Sequence, residues 1–149
     1  MKVHSFSLFI VLMALSVTTS FALAKDIEST KQSSSFSFTP PPGDPVRIQI
    51  LDTLRQEVKK MNGVEAVFVV SYLKVKDGWA WVHTLPQSAD GTNHYEDISA
   101  LLHVENGVWK IVEIPCTEIE NPECLGEPGY FGTLKKRFPD LPSQILPEE

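Results

Sequence analysis

Residues 64–84 read VEAVFVVSYLKVKDGWAWVHT, and residues 98–114 read ISALLHVENGVWKIVEI. Both stretches are rich in β-branched and aromatic residues. Each is interrupted once, by Asp77-Gly78 in the first and by Asn106-Gly107 in the second. Asp-Gly or Asn-Gly between two apolar runs marks a tight hairpin, because glycine accepts the positive φ that the turn requires. The first stretch therefore predicts strands over 66–76 and 79–84, and the second predicts strands over 98–105 and 108–114. Alternation puts Val67, Val69, Leu73 and Val75 on one face of the first strand and Phe68, Val70 and Tyr72 on the other. Both faces are apolar, so both need cover. On the third strand Ile98, Ala100, Leu102 and Val104 oppose Leu101 and His103, and on the fourth Trp109, Ile111 and Glu113 oppose Val108, Lys110, Val112 and Ile114. Two hairpins in series make a four-stranded antiparallel meander, which becomes stable when a helix packs against it.

The helix precedes the strands. Asp44-Pro45 is a strong start, with an N-cap acceptor followed by a residue that loses no needed donor at the first helical position. Ile50, Leu51, Leu54, Val58 and Met61 recur at helical spacing, and Asn62-Gly63 suits a left-handed stop. Between the hairpins, residues 85–97 (LPQSADGTNHYED) form the most polar loop of the folded part. Near the C-terminus, Tyr130 to Phe138 predicts a short helix with Phe131, Leu134 and Phe138 along one side. Pro139, Pro142 and Pro147 exclude a longer element. Leu141, Ile145 and Leu146 keep this tail apolar, so it is expected to lie on the second sheet face. The fold class is α+β: one long N-terminal helix on a curved four-stranded antiparallel meander, then a short C-terminal helix and a Pro-rich tail.

The chain has 149 residues and a formal net charge of −6. Lys2 and His4, an apolar run from Phe6 to Val17, and Ala22-Leu23-Ala24 read as a secretory signal peptide over 1–24. Removing it takes away one positive charge, Lys2, and leaves −7. Residues 25–44 are Ser-rich and then Pro-rich, and read as a disordered linker, with Phe36 and Phe38 able to dock on a sheet edge. Residues 45–149 are then one α+β domain. An acidic exported domain is a poor partner for nucleic acid, and no membrane association is expected once the signal is cleaved. Periplasmic or secreted localisation places Cys116 and Cys124 in an oxidising compartment, where a disulfide across the loop TEIENPE is expected.

Candidate site residues fall into two groups. Trp79, Trp81 and His83 alternate and so share a face of the second strand, with Trp109 expected near them across the sheet. With Tyr95 of the polar loop, these indoles would form an aromatic platform for a sugar, a peptide or a partner protein, although large aromatics on strands usually serve as packing. The second group is His83, His94, Glu96 and Asp97, a His/carboxylate set with the residue types of general acid–base catalysis. His83, His94 and His103 match no zinc spacing, so no metal site is expected. No Gly-rich phosphate loop or GxSxG elbow appears, so no cofactor is expected either.

Leu54-Arg55, Phe68-Val69-Val70, Leu73-Lys74-Val75, Gly78-Trp79-Ala80-Trp81-Val82 and Phe138-Pro139 resemble small exported bacterial proteins of uncharacterised function. The order of a helix and then a four-stranded meander is also similar to cystatin-like and NTF2-like α+β folds. That resemblance implies binding, inhibition or occasional catalysis in a space between helix and sheet. The leading expectation is an exported, non-enzymatic module that binds an unidentified protein or small ligand, with inhibition of a hydrolase as one form of it. The alternative is a small periplasmic hydrolase or ligand-binding enzyme using a His/carboxylate pair. Convergence of histidine and acid within about 3–4 Å in a concave pocket would favour the enzyme.

Overall fold

A computed structural model describes residues 36–148 apart from Ile119 and Pro122. The stretch read as a signal peptide lies outside the described residues. The elements are α1 (Pro45–Asn62), β1 (Val67–Lys76), β2 (Trp79–Gln87), β3 (Ile98–Glu105), β4 (Val108–Glu113), α2 (Tyr130–Arg137) and a single 3-10 turn (Ser143–Ile145). The strands form one antiparallel sheet in the order β1-β2-β3-β4. The α+β meander and both hairpins are therefore present as expected. The first helix is of ordinary length, eighteen residues, rather than long.

Local chemistry explains the boundaries. The Asp44 side chain accepts from Val46 N–H at 2.8 Å, Pro45 opens the helix, and Gly63, at φ 68°, donates to the Lys59 carbonyl to close it. At the first hairpin Asp77 and Gly78 have φ 49° and 81°, and at the second Asn106 and Gly107 have φ 52° and 79°. Positive φ at both central residues is the type I′ geometry. Gly78 is constrained twice, because a Cβ there would also lie 2.9 Å from Val104 Cγ1.

Two β-bulges change which side chains share a face. Val70 pairs with Thr84 and Tyr72 with His83, leaving Ser71 as the extra residue. Its hydroxyl donates to the His83 carbonyl at 3.1 Å. The alternation expected for β1 breaks there: Phe68 joins Leu73 and Val75 beneath α1, while Val67 and Val69 point to the other face and stay exposed. In β4, Leu101 pairs with Glu113 and Leu102 with Ile111. The extra residue, Val112, separates Glu113 from the face that Trp109 and Ile111 share.

The sheet is covered on both sides. On one, Ile50, Leu51, Leu54 and Val58 of α1 pack on Phe68, Val75, Val82, Leu102 and Trp109. Met61, expected in the same stripe, is 61% exposed because it lies in the last turn, past the sheet. On the other face Trp79, Trp81 and Leu101 lie under Tyr130, Phe131, Leu134, Leu141, Ile145 and Leu146. The Pro-rich tail covers the second face, as its apolar residues predict. Cys116 and Cys124 form a disulfide, and among the described residues no helix is long and apolar enough to cross a membrane. Both observations are compatible with an exported protein.

The segment before α1 is more than a linker where it is described. Phe38 exchanges two backbone hydrogen bonds with Val75, at 3.0 and 2.8 Å, Pro40 is buried, and Arg47 donates to the Pro40 carbonyl. The run Pro40-Pro41-Pro42 lacks N–H groups and ends the pairing after one bridge.

Candidate functional site

The four aromatic candidates do not share a surface. Trp109 pairs with Val104 on β3 and is buried under α1, on the face opposite Trp79 and Trp81. The expected approach of Trp109 to the other indoles fails because its partner residue, Val104, faces α1. Tyr95 is exposed in the loop before β3. Trp79 is buried between His103, ring centroids 4.3 Å apart, and Phe138, at 5.6 Å. These indoles are core, as strand aromatics usually are.

Trp81 differs from the others in its surroundings. It is fully buried, with Phe131 packed edge-on at 5.3 Å, yet it lines a concavity of about 640 Å³ between the sheet and the C-terminal segment. Its indole Nε1–H has no hydrogen-bond partner. A buried donor left without an acceptor costs roughly 1–3 kcal/mol, so native proteins rarely leave one unpaired without a reason. Leu125, Pro128, Phe131 and Pro147 supply apolar walls, and Glu127 and Glu148 stand at the edge.

One wall of this space is held firmly. The Cys116–Cys124 bridge closes the preceding loop, and Leu125 N–H donates to the Cys116 carbonyl at 2.8 Å. Tyr130 OH donates to Glu113 Oε1 at 2.6 Å, and Arg137 Nη2 lies 2.6 Å from Glu113 Oε2. The bulge at Val112 sets Glu113 opposite Leu101, on the tail face, to receive both. Burial, and then the hydrogen bond to Glu113, push the Tyr130 phenol far above the ordinary tyrosine range. The other wall follows Ile145, whose carbonyl accepts from Tyr72 OH at 3.1 Å.

The histidine and acid candidates are partly brought together. His83 Nε2 lies 3.6 Å from Asp97 Oδ2, and His83 Nδ1 lies 2.9 Å from Ser99 Oγ. Ser99 is directly opposite His83 across the β2–β3 ladder and is largely buried. Sequence reasoning missed Ser99. The register set by Asp90-Gly91 and the 85–97 loop was the signal that would have found it. His94 is exposed, with its backbone bridged to Gln87, and Glu96 is exposed beside it. His94, Tyr95, Glu96 and Asp97 line a second concavity, of about 590 Å³, beside Val58 and Met61 at the end of α1. Ser99 borders both spaces. No group of three or more His, Cys, Asp or Glu residues gathers as a metal site among the described residues.

Comparison with protein-family models, with curated proteins and with solved structures gave no match.

Proposed function

We propose that this protein is an exported binding module for a small ligand, with the space above Trp81 as its site. The observation that carries the reading is Trp81 itself, a buried side chain with an unpartnered N–H that is among the residues lining a concavity of about 640 Å³. That volume is within the range of small-molecule sites, and mostly apolar walls with a few polar groups are their usual composition. The Trp81 indole acts here as the floor of a pocket rather than as an exposed platform. The disulfide fits the same reading, since it holds the Leu125–Pro128 wall in place outside the reducing cytoplasm.

The test is to purify the exported, oxidised protein, denature it, and search the extract for a co-purified small molecule by mass spectrometry. A Leu125→Trp variant, which narrows the space from its edge, serves as the control. We expect a compound near one equivalent with the native protein and its loss from the variant, with unchanged far-UV circular dichroism. Equal recovery from both proteins would place the ligand elsewhere.

A second reading has its own observation, the Ser99–His83–Asp97 line. Ser99 Oγ at 2.9 Å from His83 Nδ1 is within reach for proton abstraction, and Asp97 faces the other ring nitrogen. This supports a hydrolase acting through Ser99 and meets the distance part of the criterion, though His83 lines the Trp81 space and Asp97 the other concavity rather than converging in one pocket. It stands second because Ser99 lies within a strand, where backbone N–H groups serve the ladder rather than a developing oxyanion. Release of p-nitrophenol from p-nitrophenyl acetate, abolished in Ser99→Ala and in His83→Gln, would promote it. Equal rates in all three proteins would remove it.

A further inference from the structure

The ligand's chemistry can be taken further, on the reading that the Trp81 space is the site. We propose that it takes a flat apolar molecule, neutral or cationic, carrying a hydrogen-bond acceptor such as a ketone or amide carbonyl, and that it rejects carboxylates.

Three features specify this class. The first is the donor. Tyr72 OH already donates to the Ile145 carbonyl, Tyr130 OH to Glu113, and His83 Nδ1 is engaged by Ser99. The Trp81 N–H is the buried side-chain donor left over among the described residues, and an indole N–H can only donate. Its complement is an acceptor. The second feature is the walls. Pro128, Pro147, Leu125 and the Phe131 ring are apolar and favour a flat hydrocarbon body. The third is charge. Glu127 and Glu148 border the space, and no lysine or arginine is among the described residues that line it. A ligand carboxylate would lose its hydration there and meet like charge, whereas an ammonium group would be welcome.

The Trp81 N–H is closed off from solvent, so the acceptor reaches it only as a wall gives way. The Leu125 side is tethered by the disulfide and by the bond to Cys116. The Pro147–Glu148 side is held by the Tyr72–Ile145 hydrogen bond and by no covalent cross-link, so it is the side expected to yield. Ligand binding then gives the Trp81 donor its acceptor.

The experiment uses the oxidised, ¹⁵N-labelled protein and three probes of one shape: acetophenone, ethylbenzene and benzoate, near neutral pH. We expect acetophenone to move the Trp81 indole N–H resonance downfield in a saturable way. It should bind roughly tenfold tighter than ethylbenzene, the worth of one buried hydrogen bond. Benzoate should not bind until Glu127→Gln and Glu148→Gln are combined. Trp81→Phe should erase the preference for acetophenone over ethylbenzene, and if that variant does not fold, the native indole resonance decides. Ethylbenzene and acetophenone binding equally well would overturn the acceptor while leaving the pocket intact. Benzoate binding as well as acetophenone would overturn the charge rule. If none of the probes perturbs Trp81, the underlying pocket reading falls with it.

Discussion

The two faces of the sheet are covered by different means, and the difference locates the candidate site. Under α1 the cover is a regular helix whose apolar residues arrive every third or fourth position and meet Ala80, Val82 and Ala100 together with Phe68 and one indole, Trp109. On the other face the cover is a short helix, a 3-10 turn and prolines, meeting two indoles. The helix covers the middle of its face and leaves its larger concavity where it ends, near Met61 and Asn62. The irregular tail packs Trp79 closely but leaves the space beside Trp81, and it stops short of Val67, Val69 and Leu85, which remain between 38% and 45% exposed. Regular elements fill volume evenly, whereas irregular ones leave room where a large side chain has no matching neighbour.

If the helix face is the rigid half, truncations there should cost most. Leu54 is fully buried, and Leu54→Ala should destabilise by about 3–4 kcal/mol in urea unfolding. Ile145, equally buried on the tail face, should cost less, about 2 kcal/mol, because the tail can collapse into the gap. The reverse order would break the contrast between the faces. Removing the disulfide should cost about 2.5 kcal/mol on the loop-entropy account, for a separation of 8 residues. Its local signature should be faster amide exchange over 125–131 with α1 unchanged. Uniform acceleration in both regions would mean that the bridge stabilises the whole domain rather than one wall.

Smaller again is the Tyr130–Glu113 hydrogen bond. Tyr130→Phe leaves Glu113 paired with Arg137 and should cost about 1 kcal/mol. The phenol is held protonated in the folded state by burial and by Glu113. Its contribution is therefore complete below the ordinary tyrosine range and declines as pH climbs through and beyond it. Native Tyr130 should stay protonated through the ordinary tyrosine range, so that Tyr130→Phe leaves the phenolate absorbance that develops across that range unchanged.

The contrast between the faces also separates what could be read from the sequence and what could not. The helix face was legible because its information is periodic: Asp44-Pro45, the stripe from Ile50 to Val58, and Gly63 are local signals with local causes. Both hairpins were legible for the same reason, from Asp77-Gly78 and Asn106-Gly107. The bulges at Ser71 and Val112 were not, since an extra residue in a strand leaves no mark on composition. Those two residues decide that Phe68 lies under α1 and that Glu113 reaches Tyr130, so the Glu113 contacts that support the site were hidden. Trp109 was misplaced for a related reason: its face follows from pairing with Val104, a relation between strands rather than within one. The pairing of Ser99 with His83 differs: the turn at Asp90-Gly91 centres the β2–β3 register and points to it, but only once the two strands are paired across that loop.

The smallest effect concerns the concavity on the helix side, and it should leave the tail side untouched. Its loop wall, His94 to Asp97, follows a tight turn organised by Asp90. The Asp90 carboxylate accepts from Ser88 Oγ at 2.5 Å, Thr92 Oγ1 at 2.9 Å and Thr92 N–H at 3.1 Å. These bonds, that from Ser88 first, hold its pKa down from 3.8 to about 2. A depressed carboxylate stabilises the fold above its ordinary range and loses that contribution as pH falls through the folded value. The turn should therefore persist through the pH at which unperturbed aspartates titrate, and open only as pH approaches about 2. The Thr92 amide proton should report this in an NMR titration, shifting with a midpoint near that value, while the Trp81 indole resonance stays still. In Asp90→Asn the Thr92 shift should lose its acid titration altogether. A Thr92 midpoint near the ordinary aspartate value would show that the three bonds do not hold the carboxylate in solution. Parallel movement of Thr92 and Trp81 would show that Ser99, which borders both concavities, couples the two faces rather than dividing them.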